Sequence, residues 1–186
     1  SCTKRGISHA LNYGLSLSST KWVLRMDADD LWLRGRASYT RHILSTVKKA
    51  VSVIGFGCHY INSCPPNAVN LHPNLAHDIS QYTNTFIENN FQQQLRLHFA
   101  SPFIHPSVVL DSEAIIEAGG YPVILEHCED YGLWANLYMR GYSLMLNSYP
   151  VIAYRLGDTQ SLPPKRNLQL MNHEIVMKLL FSHTLG

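Results

Sequence analysis

The sequence predicts an α/β domain whose mostly parallel sheet is flanked by helices, and three observations carry that expectation. A short apolar run, Trp22, Val23 and Leu24 with Met26, stops abruptly at the carboxylates Asp27, Asp29 and Asp30. Strand-like runs alternate with helical periods, which implies crossover connections and parallel pairing. The 186 residues are 46% hydrophobic and only 15% charged, which allows one well-cored domain and excludes a disordered chain.

The elements follow in order. From Gly6 to Leu17, Ile7, Ala10, Leu11, Gly14 and Leu15 recur at helical spacing. The acidic strand comes next; its large apolar residues suit a buried strand in the middle of a sheet. Arg34 to Lys49 reads as a helix through Ala37, Leu44 and Val47, and Ala50 to Cys58 as a second strand. Tyr60 to Asn74, dense in Pro and Asn, is expected to be a surface turn or short hairpin. Between His77 and Ala100 the chain is polar and helical in parts, with Gln92 to Phe99 the best turn of helix.

Two prolines bracket the apolar strand expected over Ser101 to Leu110. Asp111 to Ala118 begins as a capped helix and ends at Gly119-Gly120-Tyr121-Pro122. Glu129 to Arg140 is a helix with Leu133, Trp134, Leu137 and Tyr138 on its apolar face and two acids in its first turn. Two short strand-like runs, LMLN and VIAYR, fall between Ser143 and Arg155. A last helix, from about Lys165 to Ser182, places Leu168, Met171, Ile175 and Leu179 on one face.

Composition narrows the function. Net charge is +2 with scattered basic residues, which argues against nucleic acid as a partner. No apolar run approaches the roughly 18 residues of a membrane span, and the first residues lack a signal peptide's apolar core. Cys2, Cys58, Cys64 and Cys128 form no C-x-x-C pair and read as reduced thiols of a cytosolic protein, since the spacing of Cys58, His59 and Cys64 matches no standard zinc set. Ser1 in place of Met, at the start of a helical pattern, suggests a piece of a longer protein.

Carboxylates crowded at a strand end repel one another unless a cation joins them, and open α/β sheets bind ligands just outside the strand carboxyl ends. A hard divalent ion, Mg²⁺ or Mn²⁺, prefers oxygen ligands and is commonly held by one or two carboxylates plus substrate phosphates. The plainer alternative is a turn and helix cap, which Asp also serves. A calcium loop is ruled out because Leu31 and Leu33 fall where ligands should continue.

Four segments then stand in fixed order: ALNYGL on a helix, RMDADD at a strand end, FIHPSVVL before a helix closed by GGY, and EDYGLW opening another helix. With Tyr154-Arg155 near the end, this order closely resembles the family 2 glycosyltransferases of the GT-A fold, over about Gly6 to Ser161. The resemblance implies a GT-A (Rossmann-like) domain lacking its first strands: a strand and a second, Asp-bearing strand would precede Ser1, roughly 60 residues at about 30 per strand-helix unit. Residues 1 to 186 would then be one partial catalytic domain, with 162 to 186 as its carboxyl-terminal helix.

The resemblance also implies roles. Asp29 would be the metal ligand, Asp27 would sit by the donor ribose or assist the metal, and Asp30 would support the turn. Asp130 would be the catalytic base and Glu129 would orient it or touch the acceptor, although both also suit a plain helix start. His105 and Trp134 are candidates for the donor or acceptor pocket, each with a structural alternative. Arg155 would reach the diphosphate; the histidine that many relatives carry two residues later is replaced by Gly157. The implied activity is inverting transfer of a sugar from a nucleotide-diphosphate donor to a glycan or lipid-linked hydroxyl acceptor in surface-glycan assembly, at the cytoplasmic face of the membrane. A nucleotidyltransferase and a non-catalytic binding remnant are the competing readings.

Overall fold

A computed structural model describes residues 5 to 61, 82 to 156 and 163 to 185. The described elements are α1 (Ile7–Leu17), β1 (Trp22–Leu24), β2 (Leu31–Trp32), α2 (Arg36–Thr46), β3 (Val53–Ile61), β4 (Asn84–Phe86), α3 (Phe91–Phe99), β5 (Val109–Asp111), α4 (Ser112–Glu117), α5 (Glu129–Met139), β6 (Leu144–Arg155) and α6 (Pro163–Leu185). The α/β class is as expected. The sheet runs in the order β1-β5-β3-β6-β2, with β4 also on β6.

Its strand directions correct the mostly parallel expectation. Only β3 and β6 pair in parallel; the β1–β5, β3–β5, β4–β6 and β2–β6 pairings are antiparallel. The crossover inferred from strand, helix and strand does hold, because β1 and β3 are each antiparallel to β5 and so run the same way. The antiparallel β5 is inserted between them. Consequently the carboxyl ends of β1, β3 and β6 point to one edge of the molecule, where α/β sheets bind ligands.

The acidic strand is an edge strand of three half-buried residues among those described, and not the middle of the sheet. The strand expected over Ser101 to Leu110 shortens to Val109–Asp111. Pro102 and Pro106 cannot donate to a ladder, and His105–Ser107 forms a 3₁₀ turn instead. Ser107 Oγ anchors that turn, bonding to the carbonyls of Phe56 at 2.7 Å and Ile104 at 2.8 Å.

The two short runs expected after Ser143 fuse into one 12-residue strand, β6, that includes Pro150. Pro150 is tolerated because the β3–β6 register shifts on both sides of its partner Gly57. A Cβ at Gly57 would lie 2.7 Å from the Ser148 carbonyl oxygen, so the irregularity requires glycine.

Buried faces also depart from simple periodicity. In α2 the buried residues are Arg36, Tyr39, Thr40 and Ile43, while Ala37 is exposed. In α6 the buried face is Asn172, Val176 and Leu180, and the expected face carries Met171, Ile175 and Leu179 exposed. Much of α6's circumference is apolar, so period alone does not choose a face. Docking on α5, with Asn172 Nδ2 donating to the Glu126 carbonyl at 2.9 Å, makes that choice.

The larger core gathers α5 and α6 against β5 and β6, with Trp134, Leu133, Leu137, Leu144 and Leu180 fully buried. The turn expected over Tyr60 to Asn74 and the segment from Gly157 to Leu162 fall outside the described residues, apart from the last two residues of β3. Among the described residues no helix is long and apolar enough to cross a membrane.

A candidate active site at the strand carboxyl ends

Two sequence motifs meet beside the site. Asn12 of α1 clasps the backbone of Tyr121, accepting from its N–H at 2.7 Å and donating to its carbonyl at 2.8 Å. Gly120 just before it has φ +74, and a Cβ there would lie 2.5 Å from the Asn12 Oδ1, so glycine is needed twice over. This clasp holds α1 against the turn that leads to α5.

At the strand carboxyl ends opens a cavity of about 400 Å³ whose walls include Arg25, Asp27, Glu129, Asp130 and His105. Tyr60 from the end of β3 and Tyr154 from the end of β6 join these walls, their rings edge to face at 6.0 Å. Three parallel-running strand ends and the start of α5 thus bring Asp27 of one motif, Glu129 and Asp130 of another, and two tyrosines to one cavity.

The acidic turn leaves β1 at one sheet edge and delivers the chain to β2 at the other. Asp27 is held by Arg25 in a bidentate pair, at 2.6 and 2.7 Å. Arg25 is buried and its backbone N–H extends β1 by bonding to the Val108 carbonyl at 3.1 Å. Asp30 is buried, accepts the backbone N–H of Arg155 at 2.9 Å, and has its other oxygen unpaired. Burial, more than the neighbouring acids, raises its pKa.

Asp29 differs from both. It is exposed, and among the described residues no hydrogen bond or ion pair engages its carboxylate. Its backbone carbonyl is gripped by Arg155 Nε at 2.8 Å, so the turn is braced from β6. Arg155 therefore acts on the turn itself in this structure.

Among the described residues, no group of three or more His, Cys, Asp or Glu is gathered for an ion. A Mg²⁺ or Mn²⁺ ion that takes one protein carboxylate and completes its shell with phosphate oxygens and water fits the unengaged Asp29, a hard oxygen donor. Asp27, with both oxygens on Arg25, fits an assisting place better than a primary one.

Asp130 and Glu129 form the first turn of α5, which enters without a side-chain cap from Cys128. Desolvation pushes the Asp130 carboxyl up to about 6, reinforced by Glu129 and opposed first by the Tyr131 N–H and then by Arg25. Glu129 is buried and its Oε2 has no partner. His127, just before them on the same wall, has φ 60, the one left-handed residue other than glycine among those described. Such strained residues concentrate at sites where geometry matters.

His105 lines the cavity and its Nε2 lies 2.9 Å from the Tyr121 hydroxyl. Burial drives its pKa well below the usual value. Trp134 is corrected: it is fully buried, edge-on to Phe103 at 5.2 Å and to His105 at 6.0 Å, and does not line the cavity. The apolar face of α5 packs on the sheet and takes Trp134 into the core beneath His105.

The sequence reading missed Arg25, Tyr60, Tyr154 and the buried Arg36. Arg25 left a visible signal, a lone charge inside an apolar run. Arg36 Nη2 donates to the Arg25 carbonyl at 2.7 Å and its guanidinium stacks on Trp32 at 4.6 Å, with burial lowering its pKa to about 10. It supports the acidic turn from below, which no local spacing reveals.

No family model matches the chain. It is 30% identical over 156 residues to an uncharacterized glycosyltransferase of Haemophilus influenzae, covering 83% of this chain and 52% of that one. It is 29% identical over 141 residues to the amylovoran biosynthesis glycosyltransferase AmsE of Erwinia amylovora, covering 74% and 46%. The chain thus spans about half the length of the curated relatives it matches. Among solved structures it is similar to S. aureus TarS in complex with UDP-GlcNAc, with TM-score 0.61, 14% identity and coverage of 97% and 47%. It is also similar to the mannosyltransferase PcManGT of Pyrobaculum calidifontis in complex with GDP-Man and Mn²⁺, with TM-score 0.53, 15% identity and coverage of 97% and 54%.

Proposed function

From a chain that is a glycosyltransferase homologue with the α/β fold of those enzymes, we propose that its cavity is the transfer site of an inverting, metal-dependent, family 2-like enzyme. The donor would be a nucleotide-diphosphate sugar and the acceptor a glycan or lipid-linked hydroxyl, in glycan assembly at the membrane's cytoplasmic face. The observation that carries the reading is that Asp27 of the acidic turn and Asp130 of α5, 103 positions apart in sequence, share one cavity.

Asp29, with Asp27 assisting, would hold Mg²⁺ or Mn²⁺, which when bound neutralises charge on the departing diphosphate. Arg25 keeps Asp27 in place, and Arg155 and Arg36 hold the turn that presents Asp29. Asp130 accepts the proton of the acceptor hydroxyl; a carboxylate titrating at about 6 is largely ionised at neutral pH yet basic enough to take it. The His105 ring and the two tyrosines form walls against which a sugar can be placed, and Arg25 and the acids face it as charged groups.

Calorimetry with UDP and GDP in the presence of Mn²⁺ tests the donor half. Binding that disappears with chelator and falls at least tenfold in Asp29→Ala is expected. Equal affinity in chelator or in Asp29→Ala removes the metal-bridged reading.

A further inference from the structure

The proposed transfer uses His105 only as a wall, yet its ring is paired with a second buried group: Nε2 lies 2.9 Å from the Tyr121 hydroxyl. Both residues are fixed from outside. Ser107 ties the 3₁₀ turn that carries His105 to the Phe56 and Ile104 carbonyls, and Asn12 of α1 clasps the Tyr121 backbone. The two rings meet with centroids 5.4 Å apart.

A hydrogen-bond count decides which way the contact runs. Tyr121 is 2% exposed and does not line the cavity, and its hydroxyl has His105 Nε2 as its one partner among the described residues. Burial raises the pKa of the phenol, so it keeps its proton. If Nε2 donated, that proton would be buried with nothing to accept it, a costly state for a buried polar group. With Nε2 accepting, the phenol donates and both atoms are satisfied. An imidazole with one proton that accepts at one nitrogen carries that proton on the other. Burial, and after it the Arg25 cation, disfavours a second proton on the ring.

The proton therefore sits on Nδ1, and Nδ1 is open to the cavity. It makes no hydrogen bond among the described residues, yet it is not one of the buried side-chain atoms left without a partner, so it keeps accessible surface where His105 lines the cavity. The charged groups around it are matched differently. Asp27, Glu129 and Asp130 accept when ionised, and Arg25 turns Nη1 and Nη2 to Asp27. An uncharged N–H among acceptors selects a substrate oxygen that has no proton of its own, such as a diphosphate or sugar-ring oxygen.

We propose that Tyr121 is a positioning residue that holds His105 as its Nδ1–H tautomer, so that this N–H donates to an unprotonated oxygen of the sugar nucleotide in the cavity. The proposal rests on the transferase reading for the ligand, though not for the tautomer.

The test is nitrogen-15 NMR of the imidazole rings in full-length protein labelled at histidine, with His105 assigned by its absence from His105→Asn. At neutral pH the wild type is expected to show Nδ1 protonated and Nε2 not. Tyr121→Phe keeps the ring and the clasped backbone and is expected to show both tautomers. Protonated Nε2 in the wild type, or a His105 ring in folded Tyr121→Phe identical to wild type, overturns the proposal. Mn²⁺ with UDP, GDP, UDP-GlcNAc or GDP-mannose is then added. A change at Nδ1 with UDP or GDP alone assigns the diphosphate oxygen, and one that needs the sugar assigns the sugar. His105→Asn places an amide donor where Nδ1 stood and should keep affinity within about threefold, whereas His105→Gln places it where Nε2 stood and should lose about tenfold, the scale of one hydrogen bond. These two variants and the wild-type spectrum decide the matter even where Tyr121→Phe does not fold. Binding with no change at Nδ1, or equal affinity in the two His105 variants, overturns the proposal and leaves the transferase reading standing. No binding by any of the four nucleotides overturns both.

Discussion

The acidic turn at Asp27 to Asp30 and the acidic start of α5 at Glu129 and Asp130 place their carboxylates in different surroundings. On the turn, Asp27 is bound by a guanidinium and Asp29 stands in solvent, while Asp30 behind them is buried. At α5, Asp130 is desolvated and lifted to about 6, while Glu129 is buried with an unpaired oxygen. The first arrangement suits holding a cation and the second suits taking a proton. Composition alone would have made them equivalent; the difference lies in which neighbours the fold supplies.

The sharpest way to break that comparison is Asp130→Asn, which keeps size and removes basicity. In the full-length enzyme turnover is expected to fall by about 10² or more with nucleotide binding nearly unchanged, read from steady-state kinetics beside calorimetry. Lost nucleotide affinity would instead place Asp130 with the metal site, and no change in either would make it a helix cap. The active wild type should lose turnover as pH falls through about 6, where Asp130 takes up its proton.

The same substitution has a second, smaller effect of opposite sign. The folded pKa of Asp130 is raised above its unfolded value near 3.9, so its contribution favours folding at low pH and is lost as pH rises through about 6. Asp130→Asn should therefore stabilise the fold above that pH, by roughly 1 to 2 kcal/mol once partial exposure is allowed for. Below about pH 4 the gain should vanish. Thermal melts at pH 4 and 7.5 would show it; a gain independent of pH would contradict a desolvated carboxylate.

Arg25→Leu probes the other member of the comparison. It removes the partner of Asp27 but leaves that carboxylate, 37% exposed, with access to water. The cost to stability should be about 1 kcal/mol, well below that of breaking a fully buried pair. Nucleotide binding with Mn²⁺ should weaken because Asp27 is no longer held in place. A variant with unchanged melting temperature and unchanged nucleotide affinity would mean that the pair has no part in ordering the turn.

Much of this molecule was legible from local pattern. The helices at α1, α3, α4 and α5 lie within a few residues of their expected positions, because caps and turns act locally: Asn90 and Asp111 each accept from a first-turn N–H, and glycines with positive φ close α4 and α5. The acids of both motifs were visible at a strand end and a helix start, and the resemblance implied their roles. What spacing could not supply was a partner, as Arg25, Arg36 and Trp134 show. Nothing near Arg25 in sequence says whether it points to solvent or to Asp27, and nothing near Trp134 separates a pocket wall from the core.

The sequence by itself determined the order of strand and helix, the strand end that carries three carboxylates, the acids that open α5, and the likeness to glycosyltransferases. Only the tertiary structure decided that β5 enters antiparallel between β1 and β3, that α6 buries Asn172, Val176 and Leu180, and that Asp27 and Asp130 share one cavity. The physical reason is range. Capping, turn formation and periodicity depend on residues within a few positions, whereas strand pairing, helix docking and desolvation depend on groups that lie far away along the chain.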